Sequence, residues 1–368
     1  MRIVHILPKF DTGGAEKFCV DMCNTLAKDT QNQVYLVVLG TIDDDEILAK
    51  QVDESIVSLI SLNKQGKSLK VIYDIYALLK KIKPDVTHTH MRAQAYAGLP
   101  LILASVPNIH TIHNLAQKEI GAKVRKFYNF LYTRFNFTPV AISDEVLISM
   151  HKEYGTSFHE KINNGAKALV KSPLFDETKA YFDSLRDSHD TNIFVSVGRL
   201  SGQKNYIMMI AAFEELLKEG IDAKLLIIGS KTNDKPYALE CEASIKSTDK
   251  IFLLGEKSNI GDYLYNCDAF TLSSLYEGMP ISILEAMSAS KATISTPVGG
   301  IVDIIQEGVN GYLSEDVSKE SYKEAVKRFL EKPTHDGEKT RAIFDNHYSI
   351  ERTVKDYMDL YKKVVEKN

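Results

Sequence analysis

The feature that most constrains this chain is a rhythm that runs once, stops and starts again. Short, continuously apolar runs alternate with stretches of helical periodicity. Runs at 2–7, 34–39, 85–90, 109–112 and 139–143 read as strands, each rich in β-branched residues. Between them, Phe18, Met22 and Leu26 share one face of a helix over 16–28. Leu69, Ile72, Tyr73, Tyr76 and Leu79 predict the apolar face of another, stopped by Pro84. Uninterrupted apolar strands joined by helical crossovers require a parallel sheet covered on both sides. The segment 171–190 is polar, contains Pro173 and ends Asp187-Ser188-His189-Asp190, so it reads as a linker. The pattern restarts with strands at 193–198, 223–229, 251–254, 269–273 and 292–295 and a helix at 206–218. The expected architecture is α/β, with two Rossmann-like domains, 1–175 and 191–347, facing a central cleft. A terminal amphipathic stretch, 348–368, carries Val354, Tyr357, Met358, Tyr361, Val364 and Val365. It must bury that face, and packing back on the first domain is one solution.

A chain of 368 residues with net charge −4 has no global attraction for nucleic acid, and none is expected as a partner. No apolar run approaches the roughly 18 residues of a membrane span. The opening apolar stretch is too short for a signal peptide. The four cysteines, Cys19, Cys23, Cys241 and Cys267, form no CxxC pair. Cys19 and Cys23 share a helix face and are expected as buried thiols. The expectation is a cytoplasmic protein.

In paired open α/β domains, ligands sit beyond the carboxyl ends of the strands. Three loops of that kind carry chemistry. After the first strand, Gly13-Gly14-Ala15-Glu16 lets backbone approach a ligand at a helix N-terminus. It is not G-x-G-x-x-G, which disfavours a nicotinamide dinucleotide. After the strand at 193–198 come Gly198-Arg199-Leu200 and Gln203-Lys204-Asn205, two cations beside a turn, suited to a diphosphate whose charge grows as a bond to it breaks. After the strand at 269–273 comes Ser273-Ser274-Leu275-Tyr276-Glu277-Gly278-Met279-Pro280, leading into Ile281-Ser282-Ile283-Leu284-Glu285-Ala286-Met287. Pro280 fits the first turn of a helix. Glu277 then precedes the helix and Glu285 lies within it, about 8 Å along the axis from Pro280. Carboxylates so placed suit the hydroxyls of a sugar and of a ribose. Glu285 sits among Ile283, Leu284 and Met287, where an idle charge would be costly.

Glu277 and Glu285, inside E-G-M-P-x-x-x-x-E-A-M, resemble the E-x7-E motif of the retaining GT-B glycosyltransferases of family 4. Gly13-Gly14-Ala15-Glu16 looks like that family's glycine loop, and Arg199 with Lys204 like its phosphate-binding pair. Thr296-Pro297-Val298-Gly299-Gly300 and Gly308-Val309-Asn310-Gly311-Tyr312 look like its closing segments, and Tyr348-Ser349-Ile350-Glu351 like the start of its crossing helix. The resemblance implies a nucleotide-sugar donor, with UDP expected from its prevalence in the family, and a glycan or lipid-linked acceptor. It places Arg199 and Lys204 on the diphosphate, Glu277, Gly278, Met279 and Pro280 on the transferred sugar, and Glu285 on the ribose. It matches His113 to an active-site histidine, and Ser143 and Asn164 to ligand-lining loops. It also implies front-face substitution, in which the donor phosphate assists deprotonation of the acceptor. The chain departs from the family's common pattern at Asn163-Asn164-Gly165-Ala166-Lys167 and at His113-Asn114.

Several other features have structural readings. Asp43-Asp44-Asp45-Glu46 is expected as a solvated turn, with no metal requirement and no cofactor beyond the nucleotide-sugar substrate. His88 and His90 point the same way along one strand, as ligand-lining or structural histidines, with His90 nearer any acceptor. The basic, aromatic stretch 123–137 reads either as a crossover helix or as a patch for peripheral docking on the inner, anionic membrane face. Two alternatives to a transferase are a sugar-nucleotide epimerase or hydrolase on the same fold, and a non-catalytic sugar-nucleotide binding protein.

Overall fold

The computed structural model describes residues 1–10, 13–43, 47–66, 68–135, 137–232, 234–331 and 335–367. Thr12 and the acidic run Asp44-Asp45-Glu46 lie outside the described residues. The chain divides into two compact units, Met1–Ala166 with Ile350–Asn368, and Lys167–Ser349.

The first unit runs β1 (Arg2–Leu7), α1 (Gly14–Leu26), β2 (Gln33–Val38), β3 (Val57–Ser61), α2 (Lys70–Ile82), β4 (Val86–His90), α3 (Gln94–Ala104), β5 (Asn108–Ile112), α4 (Ala116–Glu119), α5 (Ala122–Arg134), β6 (Phe137–Ala141) and α6 (Asp144–Tyr154). Its six strands are parallel in the order β3-β2-β1-β4-β5-β6. The order reverses between β1 and β4, so the loops after those two strands splay apart and open a site at the sheet's carboxyl edge. The C-terminal helix, Ile350–Glu366, belongs to this unit and buries Thr353, Tyr357, Leu360, Tyr361 and Val364. Its start is pinned by Ile350 N donating to Ala166 O at 2.9 Å and Thr353 Oγ1 donating to Asn163 O at 3.1 Å.

The second unit runs α7 (Phe175–Leu185), β7 (Asn192–Val197), α8 (Tyr206–Lys218), β8 (Ala223–Ile228), α9 (Lys235–Ser244), β9 (Ile251–Gly255), α10 (Ile260–Asn266), β10 (Ala269–Leu272), α11 (Ile281–Ser288), β11 (Ala292–Ser295), α12 (Ile301–Ile304), β12 (Gly311–Leu313), α13 (Lys319–Glu331) and α14 (Gly337–His347). Its strands are again all parallel, in the order β12-β11-β10-β7-β8-β9, with the reversal between β7 and β10. One core joins Phe194 of β7 and Leu225 of β8 to Met209 and Phe213 of α8 and to Tyr322 and Phe329 of α13.

Three expectations are corrected. The segment read as a linker contains α7, which buries Thr178, Phe182 and Leu185, an i, i+4, i+7 face that the polar residues around it conceal. Ser172 N donates to Asp262 Oδ1 at 2.9 Å, and Arg186 forks onto Asp268, so the segment is part of the second unit and the boundary falls after residue 166 rather than at 175. In α2 the buried face is Val71, Ile75, Leu79 and Ile82, whereas Leu69 and Tyr73 are exposed; the spacing was right and the face one residue out of phase. Strand β3 was not anticipated.

Candidate active site

The reversal between β7 and β10 brings together two loops of the second unit. After β7 the chain passes Gly198 and Arg199, turns through a 3-10 turn at Gly202–Lys204, and enters α8 at Asn205, which adopts a left-handed backbone (φ 53°). After β10 it passes Ser273 to Pro280 and enters α11. Ser273 Oγ donates to Lys204 O at 2.8 Å, Leu275 N donates to Gln203 O at 2.8 Å, and Gln203 Nε2 returns a bond to Tyr276 O at 2.9 Å. A third loop, after β11, closes on the second. Thr296 Oγ1 donates to Ser274 O at 2.6 Å and Gly300 N to Gly278 O at 2.7 Å.

Two glycines permit this packing. A Cβ on Gly229 would collide with the Gly198 carbonyl, and one on Gly299 (φ +60°) with the Glu277 carbonyl. Backbone can therefore approach backbone only without a side chain there.

At the centre, Lys204 Nζ donates to Glu277 Oε1 at 2.7 Å, and Ser274 Oγ donates to the same oxygen at 2.6 Å. The Lys204 and Glu277 side chains are 14% and 8% exposed. A pair this desolvated, held in place by three loops, is far more rigid than a surface ion pair. One of the three lysine N–H donors is used by Glu277. Arg199 is exposed beside it. Gly278, Met279 and Pro280 are buried against the start of α11. Pro280 caps that helix rather than entering it, one position earlier than expected, because its extended ψ of 122° ends the loop. Glu285 lies within α11 and is buried. The structure thus gathers Lys204, Glu277 and Gly278 to Pro280 at one strand edge, with Arg199 at its rim. Ser274 and Thr296 were not singled out as contributors; their signal was a polar pair, or a lone threonine, at the end of an apolar strand.

The first unit holds a different constellation. Gly13 caps α1, and the Glu16 carboxylate folds back over it, so a Cβ there would meet Glu16. Gly14 is exposed and Glu16 buried. Ser143 is fully buried and caps α6, its Oγ accepting from Val146 N at 3.2 Å. Its role in this structure is that of a helix cap rather than an exposed ligand contact. Asn164 is buried in the loop that receives the C-terminal helix. His113 follows β5; its N–H and that of Asn114 donate to Glu119 Oε2 at 2.7 and 3.2 Å, which fixes the turn.

His90 departs from its expected place near an acceptor. It is completely buried, with Nδ1 2.9 Å from His113 Nε2 and Nε2 3.1 Å from His5 Nδ1, so both ring nitrogens are taken by neighbours. His88 lies behind it, bonded to Tyr361 and Thr111. Burial, reinforced by the surrounding imidazoles, holds His88 and His90 well below the ordinary histidine range. Burial and His110 take His113 down to about 3. These rings are neutral at neutral pH. His5, Tyr357 and Tyr361 were not named as site residues. Their signal was a histidine in the middle of an apolar strand, and two tyrosines at i, i+4 on the terminal helix.

Comparison with known proteins agrees with this layout. Residues 12–165 match the family model described as Glycosyltransferase Family 4, and residues 177–348 the one described as Glycosyl transferases group 1. An Escherichia coli relative, UDP-Gal:alpha-D-GlcNAc-diphosphoundecaprenol alpha-1,3-galactosyltransferase, is 26% identical over 316 residues, covering 81% of this chain and 80% of that protein. N-acetyl-alpha-D-glucosaminyl L-malate synthase of Bacillus anthracis is 28% identical over 263 residues, 70% of this chain and 58% of that one. Among solved structures, a glycosyltransferase from Rickettsia africae superposes with a TM-score of 0.82 at 21% identity, covering 100% of this chain and 99% of that one. HepE of Anabaena, in complex with UDP and glucose, superposes with 0.83 at 16% identity, covering 99% and 100%. The two sheets with their reversal points, the laced loops of the second unit and these matches across both units lead to one statement: the chain belongs to the family-4 type of GT-B glycosyltransferases.

Proposed function

We propose that this transferase moves a hexose or N-acetylhexosamine, with retention of configuration and without a metal ion, from a UDP-sugar to a glycan or lipid-linked acceptor of surface polysaccharide or glycolipid. The observation that carries the donor half is the buried Lys204–Glu277 pair at the β7–β10 reversal. Lys204 keeps two N–H donors for a diphosphate while Glu277 holds it in place, and Arg199 adds a planar cation at the rim. Together they stabilise the charge that develops on the leaving diphosphate, a task that in other enzymes falls to a metal. Glu277 and the backbone to Pro280 take hydroxyls of the sugar, and Glu285 takes those of the ribose. With no carboxylate set apart as a nucleophile among the described residues, catalysis rests on positioning and on the leaving group, and the donor phosphate assists deprotonation of the acceptor. The E. coli relative, named for a UDP-galactose donor and a diphosphoundecaprenol-linked acceptor, supports both halves. The UDP and glucose complex of HepE supports the donor half.

Among the described residues no helix is long and apolar enough to cross a membrane. A lipid-linked acceptor is reached instead by peripheral docking at the inner membrane face. Helix α5 supports this with one face only: Tyr128, Leu131 and Tyr132 are core, while Lys123, Lys126, Phe130 and Arg134 are exposed. Leu99 and Leu103 of the neighbouring α3 add exposed apolar surface. Flotation with anionic liposomes at low salt is the check on docking; an unbound protein removes it. Thermal-shift screening with UDP, GDP and ADP tests the donor assignment. UDP is expected to raise the melting temperature; stabilisation by another nucleotide alone overturns the base, and stabilisation by none overturns the site.

A further inference from the structure

The Glu277 carboxylate is held asymmetrically. Lys204 Nζ donates to Oε1 at 2.7 Å, and Ser274 Oγ donates to the same oxygen at 2.6 Å. A carboxylate oxygen has about two lone-pair sites, so Oε1 is fully used. Oε2 accepts from no protein group among the described residues. Nor is it sealed in the interior: the side chain is 8% exposed, and its second oxygen keeps access to solvent. Where the loops after β7 and β10 meet, the second unit therefore presents one carboxylate oxygen with both lone pairs open.

Lys204 alone does not give this division. A carboxylate turns easily about its last side-chain bond, which has a broad, two-fold torsion. An ammonium is a point charge with three donors and no planar fork to choose between the oxygens. Held by Lys204 only, the carboxylate is free to turn until both oxygens face the ammonium, and the open acceptor is lost. The Ser274 hydroxyl removes that freedom. It is completely buried, three residues before Glu277 in the same loop, and its one proton goes to Oε1. The Ser274 backbone is fixed separately, by Thr296 Oγ1 donating to Ser274 O at 2.6 Å. The hydroxyl thus acts on the carboxylate from a rigid base, and removing it leaves that lacing bond in place.

We infer that Ser274 is a positioning residue: it reserves Glu277 Oε1 for Lys204 and turns Oε2 towards the donor, where its two lone pairs accept two adjacent hydroxyls of the transferred sugar. The sugar contact rests on the proposed function; the fixed orientation of the carboxylate does not. The favoured substrate class is a nucleotide-sugar with two free neighbouring hydroxyls on the side that meets Glu277. Ser274 then acts on the sugar half of the donor, through Oε2. It leaves the diphosphate half, which meets Lys204 and Arg199, almost untouched.

The test compares the full-length parent chain with Ser274→Ala. Calorimetry measures UDP binding, and UDP release measures turnover of the best UDP-sugar and of its single-deoxy analogues. Ser274→Ala is expected to bind UDP within about two-fold of the parent. Its kcat/KM for the intact sugar is expected to fall about ten-fold or more, as for a lost hydrogen bond to a charged group. In the parent, removing one of the two hydroxyls is expected to cost about ten-fold or more; in the variant that penalty shrinks, because the acceptor oxygen is already misplaced. Equal turnover in the two proteins overturns the inference, and so does an equal deoxy penalty. A loss of UDP affinity as large as the loss of turnover also overturns it, since that marks a collapsed loop rather than a turned carboxylate. If the parent releases UDP from no UDP-sugar, the proposed function itself falls, and the sugar contact with it. If the split fails in an active parent, only the role of Ser274 falls.

Discussion

At the scale of single residues, the second unit is organised around Glu277. Its side chain is fixed by Lys204 and Ser274, and its carbonyl by the absence of a Cβ at Gly299. Gly299→Ala forces a left-handed backbone on an L-residue and drives a methyl into that carbonyl. It is expected to destabilise the second unit by about 2 kcal/mol or more and to weaken donor binding in parallel. Denaturant melts and nucleotide titration of the same sample check both, and an unchanged midpoint would remove the close approach from the account. Sequence reasoning reached Glu277, Lys204 and Arg199 because charged residues at the carboxyl ends of apolar strands stand out. It did not reach Ser274 or Thr296, since small hydroxyls are frequent at strand ends and their partners here come from distant loops. The reading of His90 as an acceptor contact failed for a related reason. Strand alternation tells which face a histidine is on but not how deep it lies, and three further imidazoles and the Phe18 ring cover this one.

At the scale of elements, the strands of both sheets were legible wherever they were apolar on both faces. Strand β3 escaped because it is an edge strand whose residues, Val57 apart, are not buried, so its pattern is mixed with serines. The short β12 read only as part of a glycine-rich loop. Helix α7 escaped because three buried positions in eleven give little signal. Its place in the second unit has a direct consequence. Phe182 is 1% exposed and stacks edge-on against Tyr263 at 5.9 Å. Phe182→Ala is expected to cost about 3 kcal/mol or more in urea unfolding of the second unit. A loss below about 1 kcal/mol would return the segment to the linker that its composition suggests.

At the scale of the whole molecule, the buried histidines make stability depend on pH. His88, His90 and His113 have folded-state values below the ordinary 6.5, His113 at about 3. Folding therefore opposes their protonation. Their contribution is fully present above about pH 6.5 and is lost as pH falls below that value, for His113 down to about 3, each ring adding about 1.4 kcal/mol per pH unit across its window. Unfolding measured at about pH 7 and about pH 5 is expected to show a loss of several kcal/mol in the first unit; a flat profile would mean that these rings are not buried and neutral. The donor assignment is tested most directly by UDP release from a panel of UDP-sugars by the parent chain and by Lys204→Ala, with melting curves recorded alongside. Expected are turnover in the parent and a fall of about 100-fold in the variant, at an assay temperature where the melting curves show both proteins folded. Equal rates in the two proteins would contradict it.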